Sequence, residues 1–119
     1  MRKLRMMTIF NRNQLAYEDF LSLVNTIPNK YNFLFQSIND LFNDNVRLCV
    51  EFSEDTKNKE HLKGMLNNTK QIISIFDAFI KTKILTENQY LRFQNQADAL
   101  LAYLKAAIYK DQNVDSKLQ

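Results

Sequence analysis

The feature that most restricts the fold of this chain is the near absence of turn-forming residues. Its 119 residues include one glycine and one proline. The tight turns that connect β-strands depend on these two residue types. Their scarcity argues against an all-β or α/β fold and favours long helices joined by short polar loops. The length suits one domain, and 45% hydrophobic and 24% charged residues are typical of a globular protein.

The only proline, Pro28, marks the first predicted boundary between helices. Apolar residues at three- and four-residue steps predict a helix over 13–26, with Asn11 or Asn13 as its N-cap. Proline disfavours a helical residue before it, and its fixed φ suits a first helical turn. We therefore expect the first helix to end just before Pro28 and the second helix to begin there, after a very short connection.

Three longer helices follow, and each has an apolar seam of bundle type. The predicted ranges are 28–54, 58–84 and 87–110, and the polar stretch 53–59 is predicted to be a loop. Thr86 and Gln89 have the spacing of a capping box. Asn45 interrupts the second seam, where a polar residue usually sets register or makes hydrogen bonds. The sequence predicts an all-α, antiparallel up-and-down four-helix bundle that occupies 1–119 as a single domain with flexible terminal tails.

The single cysteine and the basic N-terminus are informative about the cellular compartment of the protein. Cys49 cannot form an internal disulfide, and its apolar helical position predicts a small buried side chain. The start, MRKLRMMTIF, is followed by NRNQ rather than by an apolar run, so we do not interpret it as a signal peptide. No stretch approaches the roughly 18 apolar residues of a membrane span. We expect a cytoplasmic protein without a membrane partner.

The net charge is +3 and the isoelectric point is about 9.0. Four lysines of the third predicted helix lie within roughly 40° of one another, and the first twelve residues contain four basic residues and no acid. Two interpretations remain open. The lysines pair with acids of the second helix or face water, or else these residues form a basic surface for phosphates. The candidate nucleic-acid-binding residues are Arg2, Lys3, Arg5, Arg12, Lys59, Lys63, Lys70 and Lys81.

The usual catalytic patterns do not occur in this sequence. One histidine rules out a multi-histidine metal site, no cysteine pair offers zinc spacing, and one glycine cannot build a phosphate-binding loop. We expect a protein that is not an enzyme, with no metal and no cofactor. The sequence His61-Leu62-Lys63-Gly64 resembles the His-x-Leu-Lys-Gly signature of histidine phosphotransfer domains. However, Lys63 lies about 200° around the helix from His61, so phosphotransfer is a minor alternative and a solvent-facing histidine is expected.

A wider resemblance covers about residues 17–109. It depends on Tyr-Glu-Asp at 17–19, the Thr-Ile-Pro-Asn-Lys corner at 26–30, the aliphatic seam of 33–50, the segment 79–83, Thr86-x-x-x-Tyr90, and the end of the last helix at 100–107. In these features the chain resembles the accessory variability proteins (Avd) of diversity-generating retroelements. They belong to a four-helix-bundle group that also includes proteins encoded in rRNA intervening sequences.

The resemblance implies a non-enzymatic accessory protein of a bacterial or phage-like retroelement. Such a protein forms a homo-oligomer, a pentamer by resemblance, with a basic surface. It binds a reverse transcriptase together with RNA or DNA, and it assists mutagenic cDNA synthesis. The alternative is a protein-interaction or structural four-helix bundle that does not bind nucleic acid.

Overall fold

The computed structural model describes the backbone of residues 2–110 and the side chains of residues 7–109. This part of the chain forms four α-helices and no strand. Consecutive helices pack against each other, and the first packs against the last, which closes the ring of an elongated bundle. The helices are α1 (Arg2–Val24), α2 (Asn32–Glu54), α3 (Glu60–Lys81) and α4 (Glu87–Lys105). The predicted all-α, up-and-down four-helix bundle is confirmed.

None of the four helices in the described range has the length and apolarity that crossing a bilayer requires.

Helix α1 begins at Arg2, well before the start predicted near residue 13. Asn13, one of the two suggested N-caps, lies inside the helix and is 1% exposed, and Asn11 is also within it. The reason is tertiary packing, because Ile9 is fully buried in the same apolar cluster as Leu104 and Ile108 near the end of α4. The apolar residues around Ile9, namely Met6, Met7 and Phe10, form an almost continuous run, and such a run gives no clear helical spacing in the sequence.

The Pro28 corner differs in detail from the prediction. Helix α1 ends at Val24, and Pro28 (φ −58°, ψ 143°) precedes a single 3-10 turn over Asn29–Tyr31. The carbonyl of Pro28 accepts a hydrogen bond from the Tyr31 N–H at 3.1 Å. Helix α2 therefore begins at Asn32 rather than at the proline, because the extended ψ of Pro28 turns the chain before the first α-helical residue.

Helix α3 ends through a left-handed residue that is not glycine. Lys83 has φ 62°, its N–H donates to the Ile80 carbonyl at 3.1 Å, and the Ile84 N–H donates to the Phe79 carbonyl at 2.9 Å. These two bonds are those of a Schellman motif, which usually places glycine at the Lys83 position. The helix therefore stops at Lys81, before the predicted end at residue 84.

Helix α4 starts where the sequence predicts. The Thr86 hydroxyl accepts a hydrogen bond from the Gln89 N–H at 3.1 Å, and the Gln89 side chain accepts one from the Thr86 N–H at 2.9 Å. The predicted capping box is confirmed. After Lys105 the chain continues in one wide π-helical turn over Ala106–Lys110.

Two apolar clusters fill the interior, one toward each end of the bundle. The first is rich in aromatic rings and contains Phe20, Phe42, Phe76, Phe79 and Phe93. The second is mainly aliphatic and contains Ile9, Leu62, Met65, Leu100 and Leu104. Cys49 is 2% exposed in the aliphatic cluster, and burial raises the pKa of its thiol to about 11. The prediction of a small buried side chain at Cys49 is confirmed.

A buried polar layer separates the two clusters. The Asn45 amide donates to the Asn13 side-chain oxygen at 3.0 Å and is 3.5 Å from the Thr69 hydroxyl, and its own oxygen accepts a bond from the Asn68 amide at 3.1 Å. Asn13, Asn45 and Thr69 are each 1% exposed. The interpretation of Asn45 as a hydrogen-bonding residue within the seam is confirmed, and its partners come from α1 and α3.

Candidate nucleic-acid interface

Positive charge is concentrated where the start of α1 lies beside the end of α4. Residues 1–17 contain four basic residues and no acid, and residues 99–110 contain two lysines and no acid. The two segments run side by side in opposite directions, since Ile9 and Leu104 share one apolar cluster. We call the surface formed by residues 2–17 and 99–110 the basic α1–α4 face.

An arginine–tyrosine pair joins the two helices on this face. The Arg12 guanidinium carbon lies 5.3 Å from the centre of the Tyr103 ring. Arg12 is half-buried and makes no ion pair with any side chain from 7 to 109, while Tyr103 is 40% exposed. Lys105, two residues further along α4, is exposed but lies about 200° around the helix from Tyr103, on the other side of the buried Leu104. Within the basic α1–α4 face, an unneutralised guanidinium and an accessible aromatic ring are therefore in contact.

The candidates Arg2, Lys3 and Arg5 lie in the first turns of α1, and their side chains are outside the described residues.

The lysines predicted on the third helix form an exposed stripe, but acids are interleaved with them. Lys63 is 3.4 Å from the Glu60 carboxylate. Lys81 lines a groove of about 300 Å³ together with Asp77 and Glu87. Lys70 is exposed and makes no ion pair within the described part of the chain. The stripe is accessible, yet its positive charge is locally offset, unlike that of the basic α1–α4 face.

The acids of α2 have partners other than Lys63, Lys70 and Lys81. Arg47 is 2.8 Å from the Asp44 carboxylate and 2.7 Å from the Glu51 carboxylate. A hydrogen bond from Asn68, with Arg47 beside it, holds the pKa of Asp44 below its ordinary value. Pairing with α2 acids, the first form of the charge interpretation, therefore does not occur at these three lysines, and their exposed side chains fit its other form, in which the lysines face water.

Lys59 has a structural position at the end of the bundle. Its ammonium group donates to the carbonyl oxygens of Ala107 and Ile108, at 3.2 Å each. These carbonyls belong to the π-helical turn, whose last carbonyl groups lack partners within the helix. Lys59 therefore links the loop between α2 and α3 to the end of α4, and it does not point outward with the other lysines of the predicted stripe.

Replacing Lys59 with methionine is expected to lower the free energy of unfolding by about 1–2 kcal/mol, because hydrogen bonds from a charged donor contribute more than neutral ones. Lys57→Met is the matched control, since Lys57 is exposed in the same loop, and it should change stability by less than about 0.5 kcal/mol. Urea denaturation followed by circular dichroism measures both. Equal effects of the two substitutions would show that the Lys59 contacts contribute nothing.

His61 does not face solvent as expected. Its side chain is 20% exposed, and its Nδ1 atom lies 3.3 Å from the second carboxylate oxygen of Glu51. Lys63, the third residue of the phosphotransfer-like motif, contacts Glu60 instead. Across the part of the chain that the structure describes, no three histidine, cysteine or carboxylate side chains come together as metal ligands.

One residue of the interface was missed by sequence reasoning, namely Tyr103. A signal for it exists in the sequence, because 99–110 contains lysines without acids and Tyr103 falls beside the α4 seam rather than on it. Sequence spacing gives the direction of a side chain around its own helix, but it does not reveal which helix lies alongside. The contact with Arg12 therefore required the structure.

Comparison of the chain with family models, with curated proteins and with solved structures found no match. The fold and the site define the class of protein by themselves. It is an antiparallel four-helix bundle with a buried polar layer and with two acid-free basic segments where α1 pairs with α4.

Proposed function

We propose that this protein is a non-enzymatic bundle that binds nucleic acid through the basic α1–α4 face. The observation that carries the proposal is the Arg12 guanidinium over the exposed Tyr103 ring, in a region whose sequence contains six basic residues and no acid. Polyanion binding depends on cations that are not already neutralised by neighbouring acids. Arginine and tyrosine together offer a phosphate donor and a surface for base contacts.

The resemblance to accessory variability proteins supplies the cellular role in this proposal. The protein would assemble as a homo-oligomer, bind a retroelement reverse transcriptase and its RNA or DNA, and assist mutagenic cDNA synthesis. The basic α1–α4 face would contact the nucleic acid. The exposed lysines Lys63, Lys70 and Lys81 would add weaker point-charge contacts along α3, because acids flank two of the three.

The test is the salt dependence of binding to a fluorescently labelled oligonucleotide, measured by anisotropy. We expect affinity to fall steeply as salt rises, since each neutralised phosphate releases counterions. In the variant Arg12→Gln, the slope of log affinity against log salt should decrease by roughly one unit. Arg12 contacts Tyr103 on the basic α1–α4 face.

Lys70→Gln is the matched control, because it removes one charge from another exposed face. It should lower the slope by less than Arg12→Gln does, since the α3 lysines are proposed to make the weaker contacts. If this control loses binding while Arg12→Gln does not, the interface is on α3 and the assignment to α1 and α4 is wrong. If the unmodified protein binds no oligonucleotide even at low salt, the proposed function fails and a protein-interaction bundle is the better description.

A further inference from the structure

We infer that the basic α1–α4 face takes single-stranded nucleic acid, with an unpaired base stacked on the Tyr103 ring. This inference rests on the proposed function and specifies the form of its ligand. The group that binds is an exposed nucleobase next to a phosphodiester. Single-stranded RNA and single-stranded DNA both present this pair of groups.

The surface around Tyr103 is shaped as a platform. The residues one turn away on the same side of α4 are Ala99 and Ala106, and the preceding residue is Ala102. These methyl groups are too short to cover the phenol ring, which is 40% exposed. Arg12 lies over the ring from α1, at 5.3 Å from its centre. The side chain is therefore fixed in place while part of it stays accessible to a flat ligand.

The geometry of the face does not suit a duplex. The major groove of B-DNA, about 12 Å wide, admits one α-helix, and the major groove of A-form RNA is too narrow for side chains to read. Arg12 and Tyr103 come from two helices packed side by side, in a bundle whose short dimensions are 23 × 18 Å. Such a face can contact a duplex through its backbone phosphates, but a base pair within a duplex has no free face for the tyrosine.

A single strand satisfies both groups at once. Its bases have free faces that stack on aromatic side chains with little dependence on sequence. Its phosphates lie within reach of the Arg12 guanidinium, which has no acidic partner among the described residues. The contact between Tyr103 and Arg12 thus assigns the base to the ring and the phosphate to Arg12.

The experiment compares one labelled oligonucleotide of mixed sequence, single-stranded and annealed to its complement, by anisotropy at fixed low salt. The unmodified protein should bind the single strand more tightly. Tyr103→Leu should weaken single-strand binding by roughly 5- to 150-fold, which is the effect of losing one stacked base, and leave duplex binding unchanged. Tyr103→Phe should retain most of the affinity. Phe33→Leu is the control, since Phe33 is 66% exposed at the start of α2, outside this face.

A second readout reports stacking directly. The chain contains five tyrosines and no tryptophan, so its intrinsic fluorescence comes from tyrosine alone. Single strands should quench this fluorescence in the unmodified protein and much less in Tyr103→Leu. Duplex binding equal to or tighter than single-strand binding would overturn the inference, as would equal losses on both ligands in Tyr103→Leu. Either of these two results would still be consistent with nucleic-acid binding, the proposed function. If the protein binds neither the single strand nor the duplex, the proposed function itself is wrong.

Discussion

Replacing Phe76 with alanine is expected to lower the free energy of unfolding by about 3–5 kcal/mol, the cost of removing a large buried ring together with the cavity left behind. Phe76 is fully buried, and its ring centre lies 4.1 Å from that of Phe93 and 5.6 Å from that of Phe79. Domains of this size are stable by about 5–15 kcal/mol. The variant should therefore be partly unfolded at ordinary temperature or melt far below the unmodified protein.

Urea denaturation followed by far-ultraviolet circular dichroism measures this change. Phe33→Ala is the matched control because it removes the same ring from a position that is 66% exposed. It should change stability by about 0.5 kcal/mol or less. Similar losses in the two variants would mean that the aromatic cluster is not the main source of stability.

The second large effect is expected in the buried polar layer. Asn45→Ala should lower the free energy of unfolding by about 2–3 kcal/mol, because it leaves buried groups of its neighbours without hydrogen-bond partners. The oxygen of Asn13 loses its donor, and the amide of Asn68 loses one of two acceptors but keeps Asp44. Asn67→Ala, at an exposed position of α3, is the control and should be nearly neutral.

A double-mutant cycle measures the coupling energy between Asn13 and Asn45 in the buried polar layer. The combined variant Asn13→Ala/Asn45→Ala should be less destabilised than the sum of the two single variants, by roughly 1 kcal/mol, because the second substitution removes a group that the first left unpaired. Strict additivity would show that the 3.0 Å contact between these amides contributes no coupling energy.

The fold could be predicted wherever the sequence contains a repeating apolar pattern or a pair of capping residues. The seams of α2, α3 and α4 have regular three- and four-residue spacing, and Thr86 with Gln89 fixed the start of α4. The start of α1 could not be predicted, since its evidence is a single buried residue, Ile9, which packs against a distant helix. The end of α3 was also missed, because a lysine in the left-handed region at Lys83 has no signature in the sequence.

The candidate site was predictable only in part, for a related reason. Arg12 was found because the first residues of the chain are basic, and Lys63, Lys70 and Lys81 are exposed as their spacing indicates. Lys59 has the same spacing but reaches the carbonyls of Ala107 and Ile108, forty-eight and forty-nine residues further along the chain. The spacing of residues along one helix gives no information about such long-range partners. The contact between Arg12 and Tyr103 is a second long-range contact of this kind.

The separation of charge between helices has a consequence for encounters in solution. The sequence places six cations and no acid in the segments where α1 meets α4, and four carboxylates along α2, so charge is distributed unevenly around the bundle. Both groups reach the end of the bundle that contains Ile9, Phe52 and Leu104, so this asymmetry runs across the bundle and not along it. A nearby polyanion exerts a torque on such a charge distribution and turns the α1–α4 side toward itself before contact. At physiological ionic strength the Debye length is about 8 Å, so this steering acts only over the last few water layers of the approach.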